Sequence, residues 1–176
     1  MKKLMSASNI RLNYLFLFFA SLYTHYYTWW MHFGYINDDF FSEIYHQTLF
    51  TSTELYSTWL ILLLATTKYT PFELQTNEER FQTLFKYSII FVISFAHVVV
   101  GFVDQFIDHI FYGSGHVSQH ARDIGLVIPD LAILTVSLID LLKFWNNFPS
   151  LRSELNCHFK RALIFTIVFI VLSKFT

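Results

Sequence analysis

The chain has 176 residues, of which 54% are hydrophobic and 14% charged, and its formal net charge is −1. A soluble domain normally carries about 25% charged residues, so this composition excludes an ordinary soluble protein. The lack of a dense basic run excludes a nucleic-acid partner, and the single Cys157 excludes an internal disulfide and a cysteine-based metal site. We therefore predict one integral membrane domain over residues 1–176, embedded in the lipid bilayer.

Two apolar stretches in the first part of the chain predict membrane-spanning helices over about 12–33 and 45–67. In each helix the polar side chains recur at i, i+4, i+7 and i+11, a spacing that places them on one face. They are Ser21, His25, Thr28 and His32 in the first helix, and Gln47, Thr51, Glu54 and Thr58 in the second. Glu54 is the only charged residue of these two stripes.

A long uncharged run, Tyr87–Val103, predicts a third span over about 87–110. The same spacing recurs there in His97, Gly101, Asp104 and Asp108. Lipid offers no partner to ionisable groups, so this stripe must face protein or trapped water. Before the span, Thr76 and Glu79 form a capping-box pattern that predicts a short amphipathic helix leading into it.

The last third of the chain predicts a fourth span over about 123–145, with Pro129 inside it and a kink next to Asp130. Residues 146–161 form a polar stretch that we interpret as a connection. A possible short fifth span follows at about 161–175, which either crosses the bilayer or lies on its surface. The predicted fold class is an all-α, polytopic transmembrane helix bundle with four spans and a possible fifth at the C-terminus.

The positions of the basic residues predict the orientation. Most of the 12 Lys and Arg residues lie before the first span and after the second and fourth spans. By the positive-inside rule the N-terminus is therefore cytoplasmic, or on a matrix-like side. The sequence favours an endomembrane without identifying the organelle.

The acidic residues and histidines concentrate in the outer half of this predicted topology. If the polar stripes face inward, they share a cavity that opens outward. We predict that this cavity binds or conducts a cation, a proton or a small amphipathic ligand, either sterol-like or amine-like. The predicted ligand-binding or ion-binding residues are Glu54, His97, Asp104, Asp108 and Asp130.

Two other functions remain open. The same acids fit an accessory subunit that pairs with partner membrane subunits of a larger complex. The second alternative function is a membrane-embedded metal-dependent enzyme. Its candidate metal ligands are His109, His116 and His120, although their pattern lacks the Glu of the HExxH motif. The sequence requires no cofactor and identifies no catalytic residue. In general layout it resembles the membrane sterol isomerases, whose cavities bind sterols or amines.

Overall fold

The computed structural model describes residues 11–39, 41–66, 76–101 and 117–175, and all its regular elements there are helical. The side chains at 42, 43, 117–123, 162 and 173–175 lie outside the described part. Five α-helices are present in these ranges, and a short 3₁₀ helix, Pro149–Leu151, joins the last two. They are α1 (Leu12–Asn37), α2 (Phe41–Thr66), α3 (Asn77–Gly101), α4 (Val117–Asn147) and α5 (Arg152–Phe175). The predicted all-α helical bundle is confirmed.

Four segments are long and apolar enough to cross a membrane: Ile44–Thr66, Asn77–Gly101, Ile124–Asn147 and Pro149–Leu172. They indicate an integral membrane protein, and the last of them is the segment that we predicted only as a possible short span. Helix α1 is not among the four, because its many Tyr, Trp, His and Thr residues lower its mean hydropathy. Its 26 residues are nevertheless long enough to cross, at about 1.5 Å per residue.

The helices differ from the predicted spans mainly at two boundaries. Helix α3 begins at Asn77, because the predicted capping box forms: the Glu79 N–H donates to Thr76 Oγ1 at 3.2 Å, and the Thr76 N–H donates to Glu79 Oε2 at 3.4 Å. The amphipathic lead-in and the span are therefore one helix. We also predicted a connection over 146–161, but α5 already begins at Arg152.

Helices α1 and α2 form an antiparallel pair that is in contact along its length. At one end the Arg11 N–H donates to the Ala65 carbonyl at 3.1 Å, and at the other Gln47 Nε2 donates to the Thr28 carbonyl at 2.9 Å. The turn between the helices places Asp39 at a φ of 59°, in the left-handed region that Asp tolerates better than most residues. Residue 24 therefore lies opposite residue 54.

Helix α3 is central, and it runs parallel to α5. The rings of Phe85 and His158 lie 5.4 Å apart near one end, and those of His97 and Phe169 lie 5.7 Å apart near the other. A large apolar core fills the first of these ends and a smaller one the second. Glu54 lies on α2 between the residues that contribute to the two cores.

A polar network joins α1, α3 and α4 at the end of the bundle where α1 begins. Asp140 accepts from Lys143 Nζ at 2.9 Å, from Arg11 Nη2 at 3.3 Å and from the Tyr14 hydroxyl at 2.7 Å. Arg11 also donates to the Tyr87 hydroxyl at 2.6 Å. Burial alone would lower the pKa of Arg11, but the Tyr87, Tyr14 and Asp140 groups raise it above its usual value, so this guanidinium stays charged.

Candidate functional site

Three of the five predicted ligand-binding residues converge on one point between the helices. Glu54 from α2, His97 from α3 and Asp130 from α4 each place one ligand-type atom within 4.8 Å of the others. Within this group His97 Nδ1 and Glu54 Oε2 lie 3.1 Å apart. Glu54 is 5% exposed and His97 4%, while Asp130 is half-buried. We call these three residues the triad.

Both oxygens of the Glu54 carboxylate have partners. Oε2 contacts His97 Nδ1, and Oε1 accepts a hydrogen bond from Thr24 Oγ1 on α1. Thr24 also lies within hydrogen-bonding distance of the Ser21 carbonyl, at 2.8 Å. A hydroxyl carries a single proton, so Thr24 donates either to the carboxylate or to its own helix backbone. The antiparallel pairing of α1 and α2 is what brings Thr24 to Glu54.

The His97 imidazole is also held through its other nitrogen and by two neighbouring aromatic rings. Nε2 lies 2.9 Å from Thr53 Oγ1, which is also 2.9 Å from the Leu49 carbonyl. Phe50 stacks on the imidazole with ring centroids 4.8 Å apart, and Phe169 from α5 packs beside it at 5.7 Å. The ring orientation that points Nδ1 at Glu54 is therefore fixed by contacts with α2 and α5.

Asp130 is the least constrained member of the triad. Among the residues that the structure describes, its carboxylate forms no hydrogen bond, although it lies within 4.8 Å of the other two ligand atoms. It follows Pro129 in α4, which continues through the proline; the kink remains a prediction. Earlier in α4, the ring of Tyr23 from α1 packs directly against Gly125. A side chain at position 125 would place its Cβ only 2.6 Å from the Tyr23 hydroxyl.

The charge of the triad is unbalanced. With both carboxylates ionised and His97 protonated, the three groups carry a formal net charge of −1. Within the described ranges no Lys or Arg forms an ion pair with Glu54 or Asp130. Isolated charges are costly in an apolar environment, so this arrangement favours an additional proton or a bound cation.

A profile for a family of unknown function (DUF8801) matches residues 1–176. The chain belongs to this family. No curated protein and no solved structure matches it. Any function assigned to this DUF8801 chain therefore rests on the chemistry of its side chains.

The remaining predicted residues stay predictions. Asp104, Asp108, His109 and His116 lie outside the described residues. His120 lies on α4, but its side chain is also outside the described part. The histidine set that we proposed for a metal-dependent enzyme, and the pairing of acids with partner subunits, are therefore untested.

A cavity of about 480 Å³ lies beside the triad, lined by residues of α2, α3 and α5. Glu54, His97 and Asp130 do not line it, so among the described residues it differs from the acidic cavity that we predicted. Thr53 connects the two features, since it lines the cavity and its hydroxyl contacts His97. We call this cavity the α2–α3–α5 groove.

Thr24 and Thr53 were not among the predicted site residues. Thr24 lies next to His25, whose stripe we interpreted as the polar face of the first helix. A sequence signal for Thr24 does exist: the predicted spans 12–33 and 45–67 are joined by a connection centred on residue 39, so in an antiparallel hairpin residue 24 falls opposite residue 54. Thr53 has no comparable signal, because its contact with His97 depends on the packing angle between α2 and α3.

Proposed function

We propose that this chain is a multi-pass membrane protein that binds a divalent metal ion of the Zn²⁺ type inside the membrane. The observation that carries the proposal is the triad: one imidazole and two carboxylates from three helices, with ligand atoms within 4.8 Å. Imidazole and carboxylate ligands suit Zn²⁺, and open zinc sites use three protein ligands with a fourth position free. A divalent cation would also offset both carboxylate charges.

The distances support this proposal. In a tetrahedral zinc site with bonds of about 2.0–2.1 Å, neighbouring ligand atoms lie about 3.3 Å apart. His97 Nδ1 and Glu54 Oε2 are already 3.1 Å apart. Asp130 needs to approach by a rotation of its own side chain, which no hydrogen bond within the described residues opposes. Binding is therefore a closure of Asp130 onto a preformed pair.

The threonines support the metal-binding state of the other two ligands. When Nδ1 of His97 binds a metal, its proton resides on Nε2 and is donated to Thr53 Oγ1, which lies 2.9 Å away. Thr24 donates to the Glu54 oxygen that does not face His97. Such outer hydrogen bonds fix the tautomer and the orientation of metal ligands, and their loss typically reduces affinity about 10–100-fold.

The membrane topology is part of the same proposal. Since α1 packs antiparallel along α2, it crosses the bilayer whenever α2 does, which gives five spans. The hydrogen-bonded positions of Arg11, Asp140 and Tyr87 place Arg11 and Lys143 at one level of the bundle. Basic residues gathered at this level support a cytoplasmic or matrix-like location for the end at which α1 begins.

A second candidate function is the uptake and release of a proton by the same triad. It is supported by the two threonine hydroxyls, each of which has a backbone carbonyl as an alternative acceptor. Each hydroxyl can therefore donate to the site or accept from it. Glu54 and His97 thus keep hydrogen-bond partners whether the site holds one proton more or one fewer, which suits the uptake and release of a proton.

Metal analysis of the purified full-length chain tests the proposal. After equilibration with Zn²⁺ and desalting, we expect one ion per chain, and about tenfold or greater weakening of Zn²⁺ affinity in Glu54→Gln and Asp130→Asn. Asp38→Asn, which changes an exposed acid in the α1–α2 turn, is the control and should bind normally.

Other outcomes separate the alternatives. Zinc that is retained in Glu54→Gln but lost in His116→Ala would move the site to the loop histidines and contradict the proposal. Absence of zinc binding, with a carboxyl infrared band that responds to pH and disappears in Asp130→Asn, would support the proton-exchange function instead. If neither zinc nor protons bind and a native partner is lost on harsher extraction, the accessory-subunit hypothesis gains support.

A further inference from the structure

The α2–α3–α5 groove combines an apolar interior with a basic end. Its interior is formed mainly by aromatic and aliphatic side chains, among them Phe85, Ile89, Val92, Ile93 and Phe165. On α5 the lining residues His158, Arg161 and Phe165 follow at i, i+3 and i+7, which is one helical face. The volume of about 480 Å³ is within the usual range of ligand pockets.

The basic end has unused hydrogen-bonding capacity. His158 is only 7% exposed, yet among the described residues its Nε2 has no hydrogen-bond partner. Its ring is held between Phe81 and Phe85, at centroid distances of 5.7 and 5.4 Å. Among the described residues, Arg161 likewise has no ion-pair or hydrogen-bond partner. A buried polar atom without a partner is unfavourable, and the Arg161 guanidinium is always a donor, so this end favours a ligand that brings an acceptor for Arg161 and for the Nε2–H tautomer of His158.

The basic end lies where the apolar part of the bundle begins. Phe85 packs against His158, and α3 runs parallel to α5, so Lys86 and Lys160 lie at nearly the same level as Arg161. From these positions both helices continue as apolar runs. The groove therefore extends from the membrane surface toward the bilayer centre, over about 10 Å of α5. A ligand with an ionised head and an apolar tail can therefore place its head at the basic end and its tail in the apolar interior of the groove.

We propose that the groove binds a single-chain anionic amphiphile of the fatty-acid type. Its carboxylate accepts hydrogen bonds from Arg161 and His158, and its acyl chain lies against Val92, Ile93 and Phe165. One guanidinium matches one carboxylate in a bidentate arrangement, whereas a phosphate monoester would bring more negative charge than Arg161, the Lys or Arg residue that lines the groove in the described part of the chain, neutralises. This proposal is independent of metal binding, because none of the triad residues lines the groove.

Binding of radiolabelled palmitate to the full-length chain in phosphatidylcholine nanodiscs tests the proposal. In the wild-type chain, palmitate should bind at least about tenfold more tightly than the fatty alcohol of the same length, since a charge-assisted hydrogen bond contributes about that factor. Arg161→Gln should lose this preference. Lys160→Gln, which removes an adjacent exposed charge outside the groove, should keep it.

Three results would overturn the proposal. They are equal binding of the acid and the alcohol by the wild-type chain, equal effects of Arg161→Gln and Lys160→Gln, and tighter binding of lysophosphatidate than of palmitate. Ile89→Phe fills the groove and should reduce the binding of both the acid and the alcohol. If this variant does not fold, the comparison of acid and alcohol on the wild-type chain still decides.

Discussion

The hydrogen bond between Thr24 and Glu54 offers a sharp test of the triad, because the chain contains a matched control. Thr24 is 3% exposed and donates to the carboxylate, whereas Thr58 is 6% exposed and its hydroxyl has no partner among the described residues. Thr→Val conserves the shape at both positions. Both substitutions therefore remove a buried hydroxyl oxygen. At position 24 this oxygen has a hydrogen-bond partner, and at position 58 it has none among the described residues.

The expected magnitudes follow from these contacts. In Thr24→Val the carboxylate loses one acceptor interaction in a buried position, which lowers the free energy of unfolding by about 1–3 kcal/mol. The same loss of orientation weakens Zn²⁺ binding by about tenfold or more. In Thr58→Val an unsatisfied hydroxyl is replaced by a methyl group, so the free energy of unfolding should remain unchanged or rise slightly.

Unfolding in mixed micelles, followed by circular dichroism, gives the first quantity, and a Zn²⁺ titration of each purified variant gives the second. A double-mutant cycle with Glu54→Leu, which has no acceptor, isolates the Thr24–Glu54 interaction from other effects of the substitution. The reasoning is refuted if Thr24→Val and Thr58→Val change stability equally, or if the cycle gives no coupling between Thr24 and Glu54.

Three further predictions concern other contacts and pH. Asp140→Asn should lower the free energy of unfolding by about 2–3 kcal/mol, because the Arg11 guanidinium loses its paired negative charge. Lys143→Gln removes a half-exposed partner of Asp140 and should lower it by less than about 1 kcal/mol. Denaturation in mixed micelles compares the two variants. Gly125→Ala should lower the free energy of unfolding by about 1 kcal/mol, because the new methyl group displaces the Tyr23 ring. In a chain that already carries Tyr23→Leu, the same Gly125→Ala substitution should cost much less in the same assay. Zn²⁺ affinity should fall as the pH is lowered from neutral, since the ligands must be deprotonated to bind; a pH-independent titration would contradict this.

The inward orientation of the polar stripes was predictable from the sequence for a physical reason. Lipid cannot hydrogen-bond to a carboxylate or an imidazole, so Glu54 and His97 had to face other helices. The spacing of each stripe identified the face on which they lie. Both residues are indeed buried between α1, α2 and α3, and their proximity follows from the packing of these helices.

The partners within the site were less predictable, because they depend on the register between helices. Asp140 shows the difference: its local partner Lys143 was evident at i+3, but the contacts from Arg11 and Tyr14 come from the opposite end of the chain. The boundary of α5 was missed for another reason. We treated the polar residues after Arg152 as a connection, although Arg, Glu and Lys are good helix formers and their polarity alone does not indicate a loop.

Two acids that the structure describes as buried, Asp140 and Glu54, differ in the kind of cation that accompanies them. Asp140 is paired with Arg11, whose guanidinium keeps its proton at any accessible pH, so this contact can only serve as a structural tie. Glu54 is paired with His97, and an imidazole, unlike a guanidinium, can release its proton and then become a metal ligand. A lysine or arginine at position 97 would neutralise Glu54 equally well but would occupy the site permanently. Histidine at position 97 is therefore the residue type that fits the proposed exchange of a proton for another cation.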